Sequence, residues 1–288
     1  MAALGQAGIG AVSLANNHSL DCGAIGLAET LARLKAAGIA SFGAGADLAA
    51  ADQPLIRRLM VGGQERSLVV FGGFEHRERY KDRYRWYARP QAPGVSRHSA
   101  DRIASSIAVL RDCLPAPVFV AYPHWGDHYS EVNDAQREQA ARLIEGGVDL
   151  IIGHGAHSAQ AVEIVAGRPV VYGLGNFVWN TPGHYTKFGA PPYSLVAALV
   201  FHGKQGQGGI SLRLFPILTD NTVTNFQSRP VTRKEFAEAV GMVGQSVKTQ
   251  FVRRSSKAGL FLEFKIDGIA KFRTSEKTEA AEGTVQER

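Results

Sequence analysis

The chain has 288 residues, 45% of them hydrophobic and 20% charged, with a mean hydropathy of −0.09. These are the proportions of a globular protein that can bury a core without disulfides or a structural metal. The formal charge of +6 and a pI near 9.4 favour anionic partners only weakly. The longest apolar run, around Leu195 to Phe201, falls far short of the roughly 20 residues a spanning helix needs. The opening Met1-Ala2-Ala3-Leu4-Gly5 lacks the basic and apolar regions of a signal peptide, so the chain as it stands reads as cytoplasmic. Two cysteines, Cys22 and Cys113, exclude a disulfide scaffold and a Cys-rich zinc site and read as small apolar side chains.

Strand, loop and helix recur along the first half. Ile9 to Leu14 predicts a strand that ends in the polar loop Asn16-Asn17-His18-Ser19. Ile25, Ala28, Leu31 and Leu34 recur at helical spacing, with Gly38 as the C-terminal glycine. Leu68 to Phe71 predicts a strand between two glycine pairs, and Ala100 to Leu110 a helix. Val118 to Tyr122 predicts a strand running into His124-Trp125-Gly126. Asp134 is read as the cap of a helix through Ile144, stopped by Gly146-Gly147. Val148 to Ile152 is a further strand and runs into Gly153-His154-Gly155-Ala156-His157. Beyond about Ala161 the pattern turns to hairpins: one around Ala166-Gly167-Arg168, one joining Leu195–Phe201 to Ile210–Phe215 through a glycine-rich turn. A helix near Thr232 to Met242 and a strand near Leu260 to Ile266 close the fold, and the tail beyond Thr274 reads as disordered. The order predicts a layered α/β architecture with helices outside and sheets inside.

Four of the nine histidines (His18, His124, His154 and His157) follow the carboxyl ends of three predicted strands. Ligands of open α/β sheets bind at those ends. If the strands are parallel neighbours, the four imidazoles and Asn17 converge, and imidazole nitrogen with amide oxygen suits Mn, Fe or Zn. A lone histidine at a strand end is more simply a hydrogen-bonded structural residue, and Asn16-Asn17 alone reads equally well as a turn.

Four stretches carry a resemblance: 13–21 (SLANNHSLD), His124-Trp125-Gly126, 149–157 (DLIIGHGAH) and 172–177 (YGLGNF). In order and spacing the chain resembles the CapA/PgsA-type bacterial capsule proteins linked to poly-γ-glutamate synthesis, within the calcineurin-like metallophosphoesterase superfamily. The resemblance covers roughly residues 4 to 180 and implies a metallophosphatase-like sandwich of two β-sheets flanked by helices, with a dinuclear metal centre at one edge. It makes Asn17, His124, His154 and His157 metal ligands and His18 the catalytic residue that meets the scissile group. Asn16, His128 and Asn176 complete the set as candidate substrate contacts, with a surface histidine and a turn as the plainer readings of the last two. The family also has an upstream Gly-Asp and an Asn-Leu-Glu, whose acidic residues supply and bridge the metals. Here the chain opens almost at Asn-Asn-His. The expectation is therefore either a start upstream of Met1 or an impaired site, and members of the family are often membrane-anchored and extracytoplasmic.

Residues 75–89 (EHRERYKDRYRWYAR) interleave six basic residues with four aromatics. Such a segment could bind single-stranded nucleic acid, or line a groove for an acidic polymer. The plainer reading lays Arg stems over core aromatics. The sequence thus predicts one domain over 1–272 and a tail over 273–288. The leading function is a metal-dependent hydrolase-type protein of capsule polymer synthesis. It would act on an anionic polymer or phosphoester, with capsule-synthesis machinery as a partner. The alternative is a catalytically impaired scaffold or polyanion binder of the same fold, and nucleic-acid binding ranks third.

Overall fold

The computed structural model describes residues 2–203, 209–244 and 250–266. A short helix α1 (Ala2–Gln6) leads into β1 (Ala11–Ser13), α2 (Gly23–Ala36) and β2 (Ala40–Phe42). β1 and β2 pair in parallel, Val12 opposite Ser41, as a two-stranded sheet of their own. The strand before Asn16-Asn17-His18 is therefore not a neighbour of the other histidine-bearing strands, as the sequence reading required. Gly38 at φ +69° ends α2 as expected. The buried stripe of that helix is Leu27 and Leu34 with Leu31 beside them, while Ile25 is 84% exposed. Leucines at i, i+4 and i+7 make the stripe, and Ile25 falls off it.

Next come β3 (Ala44–Gly45), α3 (Leu48–Asp52), β4 (Leu55–Val61), β5 (Gln64–Phe74), α4 (Glu78–Asp82) and β6 (Gly94–Val95), with β3 and β6 paired. β4 escaped the sequence reading. It joins β5 across Gly62-Gly63, both at positive φ, as a two-residue hairpin turn requires. The second glycine pair, Gly72-Gly73, is no boundary. β5 runs through it, because a β-carbon there would strike Phe42 and His98.

α5 (Ala100–Cys113), β7 (Pro117–His124), α6 (Asp134–Glu145), β8 (Leu150–Ile152), β9 (Val162–Val165) and β10 (Arg168–Val171) follow. The cap of α6 is Asn133 rather than Asp134. Its side chain accepts from Gln136 N–H at 2.9 Å, and Gln136 answers the Asn133 N–H at 3.2 Å. The first large sheet has the order β4-β5-β7-β8-β10-β9, parallel at its centre and antiparallel at both edges.

α7 (His184–Phe188), β11 (Tyr193–His202), β12 (Gly209–Leu218), α8 (Asn221–Thr224), β13 (Arg229–Pro230), α9 (Arg233–Met242), β14 (Val252–Ser256) and β15 (Gly259–Ile266) complete the order. β11-β12-β15-β14 form an antiparallel second sheet with β13 against β12. α9 is capped by Thr232 and Glu235 in a reciprocal box. The tail over 273–288 and most of the glycine-rich turn after β11 lie outside the described residues.

Strand alternation sets the layers. Phe119 and Ala121 of β7 face α5 and α6 through Ile103, Ile107, Ala140 and Leu143. Val118 and Val120 face the second sheet through Leu195, Leu212, Leu214 and Leu262, where α9 adds Phe236, Ala239 and Val240. The fold is thus an α/β sandwich, helices against one face of the first sheet and the second sheet against the other. Among the described residues no helix is long and apolar enough to cross a membrane.

Candidate metal centre

β7 and β8 lie side by side, and their pairing continues past β8. His154 N–H donates to Pro123 O at 2.9 Å, and Trp125 N–H to His154 O at 2.8 Å. This register sets His124 beside His154, with ring centroids 4.9 Å apart and the rings edge to face. Tyr122 covers the other side of His154 at 4.4 Å. Gly155, at φ +105°, carries the chain past His124. A β-carbon there would lie 2.6 Å from the imidazole Cδ2 and 2.8 Å from Nε2.

His157 stands in the left-handed region at φ +65°. Its ring meets His128 at 4.7 Å, Trp179 at 4.7 Å and Tyr129 at 5.6 Å. Its Nδ1 lies 2.9 Å from Asn176 Oδ1. The Asn176 segment reaches this point because Gly175, at φ +81°, is pressed against Ser194, whose Oγ would be 2.4 Å from a β-carbon.

The Asn16-Asn17-His18 loop follows β1, in the separate two-stranded sheet. Asn16 Oδ1 accepts from His18 N–H at 2.9 Å and from Ser19 Oγ at 3.3 Å, so it serves its own turn. Asn17 Nδ2 lies 3.2 Å from His18 Nε2. His18 Nδ1 pairs with Asp21 at 2.8 Å and is exposed.

These groups share one electrostatic environment. Burial, then positive charge on His154, His157, His128 or His18, holds His124 well below the usual imidazole range. Burial pushes His154 down to about 4 and also lowers His128 and His157, the last opposed by its bond to Asn176. His124, His128, His154 and His157 are thereby pushed toward the neutral imidazole, the form a metal requires. His124 Nδ1 and His154 Nε2 are buried with no hydrogen-bond partner among the described residues. Orphaned imidazole nitrogens beside an amide loop are a donor set that fits a divalent transition ion. Among the described residues, no three His, Cys, Asp or Glu side chains close on one point. The carboxylates nearby are engaged: Asp21 with His18, and Glu75 and Asp127 with Arg77.

Within residues 75–89, Tyr80, Trp86 and Tyr87 pack around Phe74, while Tyr84 is 45% exposed. Arg77 is clamped by Glu75 and Asp127, Arg79 lies 4.8 Å over the Tyr80 ring, and Arg83 lies 5.4 Å over Tyr84. Cys22 and Cys113 are free and exposed. The sequence reading missed Tyr129, Trp179, His184 and Tyr185 around His157, and also His98, buried near His154. All five sit outside the strand ends on which that reading relied, so no periodicity marked them.

The family described as bacterial capsule synthesis protein PGA_cap matches residues 1–181, which takes in every candidate residue and ends before the second sheet. A "Probable polyglutamine synthesis accessory protein" of Mycobacterium tuberculosis is 38% identical over 179 residues, covering 59% of this chain and 45% of its own. The "PGA biosynthesis protein CapA" of Bacillus subtilis is 29% identical over 58% of this chain and 41% of its own. The "Capsule biosynthesis protein CapA" of Bacillus anthracis is 27% identical over 64% and 44%. The matched region thus spans less than half the length of these curated relatives.

Proposed function

Since this chain belongs to the bacterial capsule synthesis protein PGA_cap family, we propose that it serves synthesis or processing of an anionic capsule polymer of the polyglutamate kind, through a metal-dependent, hydrolase-type site at the ends of β7 and β8. One observation carries the reading. The rings of His124 and His154 lie 4.9 Å apart between centroids, and each has a buried nitrogen, Nδ1 on one and Nε2 on the other, with no hydrogen-bond partner among the described residues. Burying two polar atoms without partners costs free energy that a bound cation would repay. His124, His154, His157 and the amide oxygen of Asn17 would hold Mn, Fe or Zn, in a dinuclear centre if acidic ligands are supplied. When bound, such ions polarise the scissile group as Lewis acids.

The chain's own groups supply the rest. Asp21 on Nδ1 orients His18; were the ring protonated, Nε2, which lies 3.2 Å from Asn17 Nδ2, would be the atom that gives a proton to a leaving group. The exposed Arg79, Lys81, Arg83 and Arg85 would meet a polyanion electrostatically, whether polymer or phosphoester. Capsule-synthesis machinery is the partner class this reading implies.

A second reading keeps the fold as a scaffold that binds the polymer without cleaving it. It is favoured by the absence, among the described residues, of three ligating side chains closed on one point. One experiment separates the two. Metal content is measured for the wild type and for His154→Ala with His157→Ala, and both are assayed on a generic phosphodiester and on polyglutamate with added Mn²⁺. The hydrolase reading expects bound metal and turnover in the wild type and neither in the variant. Equal metal content in both proteins removes the proposed ligands. Polymer binding without turnover selects the scaffold.

A further inference from the structure

Asn176 closes a hydrogen-bonded chain that runs through Tyr185 to Thr219 and the Pro192 carbonyl. The Pro192 carbonyl can only accept, and it faces the Thr219 hydroxyl at 3.4 Å. That carbonyl also takes the Thr219 N–H at 2.9 Å; with the hydroxyl proton directed to it as well, Thr219 Oγ1 would accept from Tyr185 OH at 2.8 Å and Ser194 Oγ at 2.9 Å. Tyr185, its proton committed to Thr219, turns lone pairs toward Asn176 and accepts from Nδ2 at 3.3 Å. Tyr129 OH takes the second amide proton at 3.3 Å. Both N–H bonds of the amide are then spent, so Oδ1 is the atom turned to His157 Nδ1 at 2.9 Å. An amide oxygen cannot donate, so that nitrogen carries the proton. A neutral imidazole has one N–H, which leaves Nε2 bare.

We propose that Asn176 is a positioning residue that holds His157 as the Nδ1–H tautomer and presents Nε2 to the candidate metal centre. This rests on the metal reading above and adds the element that orients one of its ligands. Asn176 is buried, so water does not compete for its amide. The chain of partners runs from β11, through Ser194, and from the end of β12, through Thr219, so the second sheet fixes a side chain that the first sheet delivers. Ligating histidines characteristically spend their other nitrogen on such an acceptor, and its loss lowers metal affinity. Asn176 therefore acts through His157 rather than on substrate, where the sequence reading had set it.

The test uses the full chain. Long-range ¹H–¹⁵N spectra of the metal-free protein report the tautomer, with the His157 signal assigned by its loss in His157→Gln. The wild type and Asn176→Asp, whose carboxylate still accepts from Nδ1, are expected to show the Nδ1–H form, and Asn176→Ala a mixture. Zn²⁺ affinity by chelator competition is expected to fall about 10–100-fold in Asn176→Ala and to stay within about threefold in Asn176→Asp. A wild-type Nε2–H tautomer overturns the proposal, even if Asn176→Ala fails to fold. So does an Asn176→Ala protein that keeps both the Nδ1–H form and full Zn²⁺ affinity. A wild type with the expected tautomers that binds no Zn²⁺ upholds the positioning and overturns the metal reading instead.

Discussion

The indole N–H of Trp125 donates to the backbone carbonyl of Tyr172 at 2.7 Å, tying the end of β7 to the end of β10 across β8. Gly153 lies between them. A β-carbon there would stand 2.2 Å from the Tyr172 oxygen and 2.3 Å from the Trp125 nitrogen. The three strand ends can close only over glycine, and His154 is the next residue. Gly153→Ala should force the strands apart and cost about 1–3 kcal/mol, as overpacking of a buried site does. Thermal unfolding should show this as a drop of several degrees. An unchanged melting temperature would mean that the indole bond does not hold these ends together.

Arg77 gives a second, electrostatic tie. Its guanidinium bridges Glu75 at 2.7 Å and Asp127 at 2.8 Å, while Glu75 also accepts the Gly126 N–H at 3.2 Å. Burial pushes the Glu75 carboxyl up, and Arg77 pulls it back. Arg77→Met would strand a half-buried carboxylate, at a cost of about 1–3 kcal/mol at neutral pH. The defect should shrink as pH falls and the carboxyl takes a proton. Adding Glu75→Gln should recover part of the loss. Urea melts of the four proteins in the cycle measure the coupling, and strictly additive effects would show that the two residues do not depend on each other.

The elements legible in the sequence are those whose pattern is local. β8 and the β9–β10 hairpin announce themselves by apolar runs beside glycine, β7 by an apolar run between Pro117 and Pro123, and α5 and α6 by period and length. β1 was legible as a strand but not as a separate sheet. Its pairing depends on β2, three residues long and 29 positions downstream by register (Ala11 with Ala40). Gly72-Gly73 misleads in the other direction, because the reason for those glycines is the tertiary approach of Phe42 and His98. Of the candidate site residues, His124, His154 and His157 follow strand ends, and that position is what marked them in the sequence. The residues that pack and orient His157 come from loops that only the folded chain brings together. Asn176 was noticed within a motif, yet its contact with Tyr185, and through it with Thr219, is visible only in the folded chain.

The box at the start of α6 reaches beyond its helix. Gln136 Nε2 donates to Gln160 Oε1 at 2.9 Å, and Gly126 passes close by: its β-carbon would lie 2.8 Å from Gln136 Nε2. Asn133→Ala removes one cap bond and should cost about 1 kcal/mol. Gln136→Ala should cost more, since it opens the box and also leaves the buried Gln160 amide short of a partner. Denaturant midpoints for the two variants test the order, and a larger loss in Asn133→Ala would show that the Gln136–Gln160 contact contributes little.

Acid should expose His98. The ring is buried against Gly73, where a β-carbon would lie 2.5 Å from it, and neither nitrogen has a hydrogen-bond partner among the described residues. Burial pushes its pKa down to about 3. In the unfolded chain the same ring titrates near 6.5, so as pH falls the unfolded state takes the proton first. The neutral ring's contribution is complete above about pH 6.5 and is lost below it, at up to about 1.4 kcal/mol per pH unit. His154, pushed down to about 4, steepens the same limb. Stability should therefore begin to fall near pH 6.5, above the range in which the carboxylates protonate. His98→Leu removes one titrating group and should narrow the stability difference between pH 7 and pH 5 by about 2 kcal/mol. Urea unfolding at the two pH values reads it directly, and an undiminished difference would mean that His98 takes up its proton in the folded state.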